Sequence, residues 1–160
     1  MIVDLDVNGK TVVIIGGGTE VSRKIRGLLH QNCNIIVITN RLNKHLRYLS
    51  QQGKIKIDKT TLNNISSKLY SYKNPYLVLA ATNNKLLNRQ LVEKGWQMGS
   101  FGYAADDPEY SDFSYMATIN IEDMVQIGIS TSGRSPIVAR IIRIRAEKIL
   151  RRTLNQITKI

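Results

Sequence analysis

Apolar residues in this chain fall into short β-branched runs, separated by stretches where they recur every three or four positions. The runs at residues 11–15, 34–39 and 76–81 predict buried strands. Between them, residues 19–29 and 44–51 carry helical spacing, the second helix ending at Gly53, and residues 62–70 predict a short helix or turn. Weaker runs at 54–57 and 98–102 predict a third and a fifth strand. Thr82-Asn83-Asn84 is a cap-like cluster before a helix that should end near Gly95. Strands alternating with helices predict a parallel sheet covered on both faces.

After residue 104 the pattern changes. Ala105-Asp106-Asp107-Pro108-Glu109 reads as an acidic turn. Runs at 115–121 and 125–130, joined by Glu122-Asp123-Met124, predict an antiparallel pair. A polar loop, Ser130-Thr131-Ser132-Gly133-Arg134-Ser135-Pro136, then places proline at the start of a last helix. That helix carries a stripe of Val138, Ile142, Ala146, Ile149, Leu150, Leu154 and Ile157, with most of its basic residues off the stripe. Such a stripe closes on its own domain or pairs with another subunit. The expected division is residues 1–104 and 105–160.

The sharpest chemical signal lies where the first run meets the first helix. A strand ending in Gly16-Gly17-Gly18 lets backbone approach a pyrophosphate closely, and the helix from Thr19 aims its N-terminal amides at the phosphates. The same arrangement also serves as a plain strand-to-helix turn. Two positions depart from the dinucleotide fingerprint. Val21 stands where a smaller residue is usual and should push the helix slightly off the strand. The second run ends in Thr39-Asn40-Arg41 without a ribose-binding carboxylate, and Arg41 leaves room for a 2′-phosphate.

Composition narrows the class. The chain has 160 residues, 42% of them hydrophobic, and no apolar run of membrane-spanning length. Its start, Met1-Ile2-Val3-Asp4, lacks the pattern of a secretory signal. The single cysteine, Cys33, excludes an internal disulfide and reads as a structural thiol. His30 and His45 lack metal-ligand spacing, so no metal site is expected. These features predict a soluble cytoplasmic protein. The net charge of +11 favours polyanionic partners. Much of it sits in Arg134, Arg140, Arg143, Arg145, Lys148, Arg151, Arg152 and Lys159, against Glu147 alone.

Four blocks carry a family resemblance: Gly16-Gly17-Gly18 with Arg23-Lys24; Ala80-Ala81-Thr82-Asn83 with Asn88; Asp106-Asp107-Pro108 with Asp112-Phe113; and the 130–136 loop with Ala139-Arg140. Over roughly residues 3–150 the chain resembles the precorrin-2 dehydrogenase and sirohydrochlorin ferrochelatase family, the dehydrogenase domain of siroheme synthase. The resemblance implies a Rossmann-like parallel sheet with a C-terminal antiparallel strand pair and a helical dimerisation arm. It implies NAD as cofactor, precorrin-2 as the tetrapyrrole substrate, oxidation to sirohydrochlorin, and a homodimer. Asp106 matches the aspartate linked to the family's chemistry. Gly16, Gly17, Gly18, Thr19, Glu20, Val21, Thr39, Asn40, Ala81, Thr82 and Asn83 are the expected cofactor contacts. Thr131, Ser132, Arg134, Ser135 and Arg140 are the expected substrate contacts. Some members also insert ferrous iron. Many continue into further helices beyond the position of Ile160, so dehydrogenation is the leading expectation and iron insertion the less favoured one.

Removing two hydrogens from a macrocycle needs an electron acceptor and a base, and a carboxylate suits the second role. Arg134 and Arg140 are chemically suited to clamp carboxylates of the substrate. Plainer readings stand beside these. Asp107 is a turn residue, Ser135 a helix cap, Arg23 and Lys24 a solvated helix face, and Trp96 packing at a helix end. Two other functions compete: a non-catalytic tetrapyrrole- or nucleotide-binding partner of another enzyme, and a nucleic-acid-binding module. The second lacks a recognition motif or aromatic platform near the basic helix.

Overall fold

β-Branched runs become the middle of a six-stranded sheet in the computed structural model, which describes residues 2–61, 64–121 and 125–157. Strand β1 (Thr11–Ile15) pairs in parallel with β2 (Asn34–Thr39) and β4 (Leu77–Ala80). Strands β3 (Lys56–Lys59) and β5 (Phe101–Ala104) extend the two sides in parallel, and β6 (Asp107–Ser111) adds an antiparallel edge. The order is β3-β2-β1-β4-β5-β6. Helices α1 (Thr19–Leu28), α2 (Lys44–Gln51), α3 (Ile65–Tyr70) and α4 (Lys85–Gln97) make the connections.

The two-residue period of the strands sorts the core into two layers. Val12, Ile14, Val37 and Leu79 pack with Val21 and Ile25 of α1 and Leu46 and Leu49 of α2. Val13, Ile15, Ile38 and Val78 pack with Ile65 and Leu69 of α3 and Leu91 and Val92 of α4. Cys33 is half-buried at the rim of the first layer and donates to the Leu28 carbonyl, and burial pushes its thiol pKa up.

Several expected boundaries move, each for a local reason. β3 begins at Lys56, later than expected, with Ile55 buried just ahead of it. α4 runs through Gly95, where a Cβ would lie 2.9 Å from the Val78 Cβ, so the glycine permits close helix–sheet packing. The helix ends beyond it, and Gly99 takes the left-handed conformation at φ 75°. β6 replaces much of the expected acidic turn. Pro108 is tolerated there because β6 is an edge strand. The expected start of α3 at residue 62 lies outside the described residues.

The chain divides into two compact units, Asp4–Ser114 and Tyr115–Ile160 with Met1–Val3. The expected boundary after residue 104 therefore falls inside the β5–β6 hairpin, and Asp106 and Asp107 belong to the first unit. In the second, β7 (Ala117–Ile121) pairs antiparallel with β8 (Val125–Ile129). The expected joint, Glu122-Asp123-Met124, lies outside the described residues. Helix α5 (Pro136–Ile157) packs on this hairpin, and the Arg151 guanidinium donates to the Asn120 carbonyl at 3.2 Å. Its covered face is Ala139, Arg143, Ala146, Leu150 and Leu154. Val138, Ile142 and Ile149 of the expected stripe stay exposed, because α5 is apolar on more than one side and the hairpin covers only one. The Ile157 side chain lies outside the described residues. No described helix is long and apolar enough to cross a membrane.

Candidate functional site

Strands β1, β2 and β4 end together, and their connections are laced by backbone bonds. Gly16 N–H donates to Ile38 at 3.0 Å, and Ala81 N–H donates to Ile15 at 2.8 Å. Gly16 adopts φ 133°, and a Cβ there would lie 2.4 Å from the Ala81 carbonyl oxygen. A Cβ on Gly17 would lie 1.8 Å from the Arg41 carbonyl oxygen. The chain's own packing thus requires both glycines. Gly18 differs: a Cβ would meet nothing within 4 Å. It is the N-cap of α1 and offers no side chain to the helix amides. The open space at Gly18 and the uncapped first turn of Thr19, Glu20 and Val21 fit a diphosphate. Glu20, in that turn, is drawn to Arg23 at 2.7 Å.

At the end of β2, the buried Thr39 hydroxyl donates to the Arg41 carbonyl at 2.7 Å and accepts from the Arg41 amide at 3.1 Å. Its hydroxyl is engaged in holding the turn, while Asn40 and Arg41 are exposed. Asn43 caps α2 through the Leu46 amide at 2.9 Å. Its side-chain amide also donates to the Gly18 carbonyl at 3.0 Å and the Ser22 hydroxyl at 2.9 Å. One asparagine therefore locks the β2–α2 loop to the glycine turn.

At the end of β4 the organiser is Asn88, fully buried on α4. Its Oδ1 accepts from the Thr82 amide at 3.0 Å and the Thr82 hydroxyl at 2.6 Å. Its Nδ2 donates to the Thr82 carbonyl at 3.1 Å and to Asp106 Oδ1 at 3.0 Å. Asn88 is absent from the residues expected to form the site. Its signal was available in the sequence: a polar residue on the helix face shared by Leu91, Val92 and Gly95. Asn83 and Asp106 are exposed.

The neighbouring carboxylates have separate surroundings. Asp107 is buried, taking the Arg89 guanidinium at 2.6 Å and Lys85 at 3.4 Å. The Arg89 hydrogen bond, helped by Lys85, holds its pKa below the usual carboxylate value. That stabilisation is complete above the ordinary carboxylate pKa and is lost as pH falls through the lowered one. Asp107 thus ties β6 to α4, whereas Asp106 faces outward with one oxygen held by Asn88. Trp96 stacks on Tyr110 and donates to Asp112 at 2.7 Å, helping to hold the same hairpin.

Lys24 corrects the expectation of a solvated helix face. It is buried, donates to the Tyr103 hydroxyl at 2.9 Å and lies 3.5 Å from Glu20. Burial lowers its pKa to about 8, against the opposing pull of Glu20. Arg23 is exposed as expected.

The loop before α5 belongs to the second unit. Ser135 accepts from the Val138 amide at 3.3 Å, as a helix cap should. The Thr131 hydroxyl, an expected substrate contact, donates to the Ser135 carbonyl at 3.1 Å and accepts from the Ser135 amide at 3.2 Å. Ser132, Arg134 and Arg140 are exposed.

A family model whose description reads "Putative NAD(P)-binding" matches residues 3–117. Similar proteins include the siroheme synthase of Nitrosococcus oceani, 30% identical over 91% of this chain and 30% of its own length. The siroheme synthase of Neisseria meningitidis is 29% identical over 95% of this chain and 30% of its own length. This chain therefore spans under a third of the length of these relatives. Among solved structures, that of SirC, a precorrin-2 dehydrogenase, superposes with a TM-score of 0.73 at 22% identity, over 92% of this chain and 70% of SirC. That likeness establishes the fold.

Proposed function

Because the chain belongs to the NAD(P)-binding family of siroheme-synthase dehydrogenase domains and SirC, we propose that it oxidises precorrin-2 to sirohydrochlorin, with Asp106 as the base. A bound nicotinamide dinucleotide, NAD by the family resemblance, supplies the two-electron acceptor for this chemistry. Gly16, Gly17 and Gly18 with the first turn of α1 would hold its diphosphate. The turns at Asn40 and at Ala81, Thr82 and Asn83 flank it. Asp106 takes the proton that leaves the macrocycle, on the carboxylate oxygen that Asn88 does not hold. Arg134 and Arg140 carry guanidinium groups suited to substrate carboxylates. A second copy of the chain is the proposed cover for the exposed apolar side of α5.

The observation that carries this reading is the Asn88 bridge. It joins the Thr82 turn, at the dinucleotide end of the sheet, to Asp106 through hydrogen bonds of 2.6–3.1 Å. The adjacent Asp107 is buried, with its Oδ2 taken by Arg89 and Lys85. The test is an anaerobic assay with precorrin-2 and NAD, following NADH and sirohydrochlorin absorbance together. Asp106→Asn is expected to lower turnover about 10²- to 10⁴-fold while dinucleotide binding persists. Wild-type protein that binds both ligands without turning over would select the carrier reading instead.

A further inference from the structure

Resting on the reading of Asp106 as the base, we infer that Asn88 is the positioning residue of that reaction: from the Thr82 turn it sets the direction in which the Asp106 carboxylate points. Asn88 is fully buried on α4. Asp106 is exposed in the turn between β5 and β6, where a carboxylate without a fixed partner moves among its rotamers. One buried donor on a helix therefore decides where the second carboxylate oxygen is found.

The orientation of the Asn88 amide follows from its partners. Its Oδ1 accepts from the Thr82 amide at 3.0 Å and the Thr82 hydroxyl at 2.6 Å. A backbone amide can only donate, so that oxygen must face Thr82, and Nδ2 must face the Thr82 carbonyl and Asp106 Oδ1. The reversed amide would set donor against donor and oxygen against oxygen. Thr82 is held in turn, its hydroxyl accepting from the Asn84 amide at 3.2 Å, and Asn84 caps the same helix through the Leu87 amide at 3.0 Å. The donor that reaches Asp106 is thus mounted on a rigid element rather than on the turn it serves.

Helix α4 treats two adjacent carboxylates in two ways. Arg89 gives Nε and Nη2 to Asp107 at 2.6 Å each, and Lys85 adds its ammonium at 3.4 Å. The neighbouring Asn88 gives Asp106 a neutral donor at 3.0 Å. A cation against a carboxylate stabilises its charge and makes it a poorer base, whereas a neutral amide directs it at a smaller cost in basicity. Charge goes to the carboxylate that ties down the hairpin, and the uncharged donor to the one that takes the proton. Misplacing a reacting group by about 1 Å costs on the order of 10²-fold in rate, so this bond has a kinetic value beyond its part in stability.

A double-mutant cycle on kcat, at saturating precorrin-2 and NAD, separates this role from a structural one. Asn88→Ser should lower kcat about tenfold or more when Asp106 is present, and by less than about twofold in the Asp106→Asn background. Thr82→Val leaves Asn88 in place and removes the 2.6 Å hydroxyl bond. It should lose about threefold with the same dependence on Asp106, and it carries the cycle if Asn88→Ser does not fold. Independently of turnover, the side-chain amide signals of Asn88 in nitrogen–proton correlation spectra should shift in Asp106→Asn. Equal losses in both backgrounds, no loss in either variant, or unmoved amide signals would overturn the inference and leave Asp106 standing as the base. Turnover that Asp106→Asn leaves intact would overturn the reading of the base, and the inference with it.

Discussion

The two compact units differ in how much of their apolar surface a single copy of the chain covers. In Asp4–Ser114, Val12, Val13, Ile14, Ile15, Val37, Ile38, Val78 and Leu79 are fully buried. In Tyr115–Ile160, helix α5 leaves Ile137, Val138, Ile141, Ile142, Ile144 and Ile149 exposed. Information about function is therefore written differently in each. Within the closed unit the telling residues are polar groups inside the packing: Asn88, Lys24 and Thr39. Within the open unit they are apolar residues outside it.

The largest effect should come from breaking the closure of the first unit at the glycine turn. Gly17→Ala drives a methyl into the Arg41 carbonyl, where only backbone movement gives relief. A loss of about 3 kcal/mol is expected in urea denaturation. Gly18→Ala, into open space, should change stability by less than about 0.5 kcal/mol while weakening dinucleotide binding. Equal losses from the two substitutions would refute the division between a glycine the fold needs and a glycine the ligand needs.

Lys24 offers a second, smaller probe of the same closed packing. Its pKa is lowered to about 8 in the folded chain, chiefly by burial, while the unfolded chain keeps the ordinary lysine value. Between those values the unfolded state binds more protons, so stability rises with pH. Wild type should gain about 2 kcal/mol between pH 8 and 10 beyond whatever Lys24→Met gains, Tyr103 and Glu20 being common to both proteins. Parallel curves for the two proteins would mean that Lys24 is solvated after all.

How legible all this is from the sequence depends on whether one residue or a neighbourhood decides the outcome. β1 and β2 are read to the residue because unbroken β-branched runs have no other stable place than a buried sheet. β6 is missed because Asp107-Pro108-Glu109 has every local mark of a turn, and only ion pairs from α4 and pairing to β5 make it a strand. Gly95 reads as a helix stop because nothing local reveals Val78 packed against it. The glycine turn and Asp106 are visible as motifs. Asn88 was visible as part of a motif block and as a polar residue on the buried face of α4, but its role depends on Thr82 and Asp106 meeting it in space. Lys24 could not be read as buried, since its neighbours on α1 say nothing of Tyr103 on β5.

The open unit is tested on the face of α5 that its own hairpin does not cover. Ile137, Ile141 and Ile144 follow helical spacing and lie across the helix from the buried Ala139. Exposed apolar residues that recur on one side of a helix mark an association surface more often than chance scatter. If a second copy covers that side, Ile141→Glu places a carboxylate in an apolar contact and should weaken self-association about tenfold, or roughly 1.4 kcal/mol, in sedimentation equilibrium. Because Ile141 is 45% exposed, the same substitution should leave the unfolding of each isolated chain nearly unchanged. Unaltered self-association would move the interface elsewhere on the second unit. A large loss of chain stability would instead mean that Ile141 is packed within its own unit, and the contrast between a closed and an open unit would fail with it.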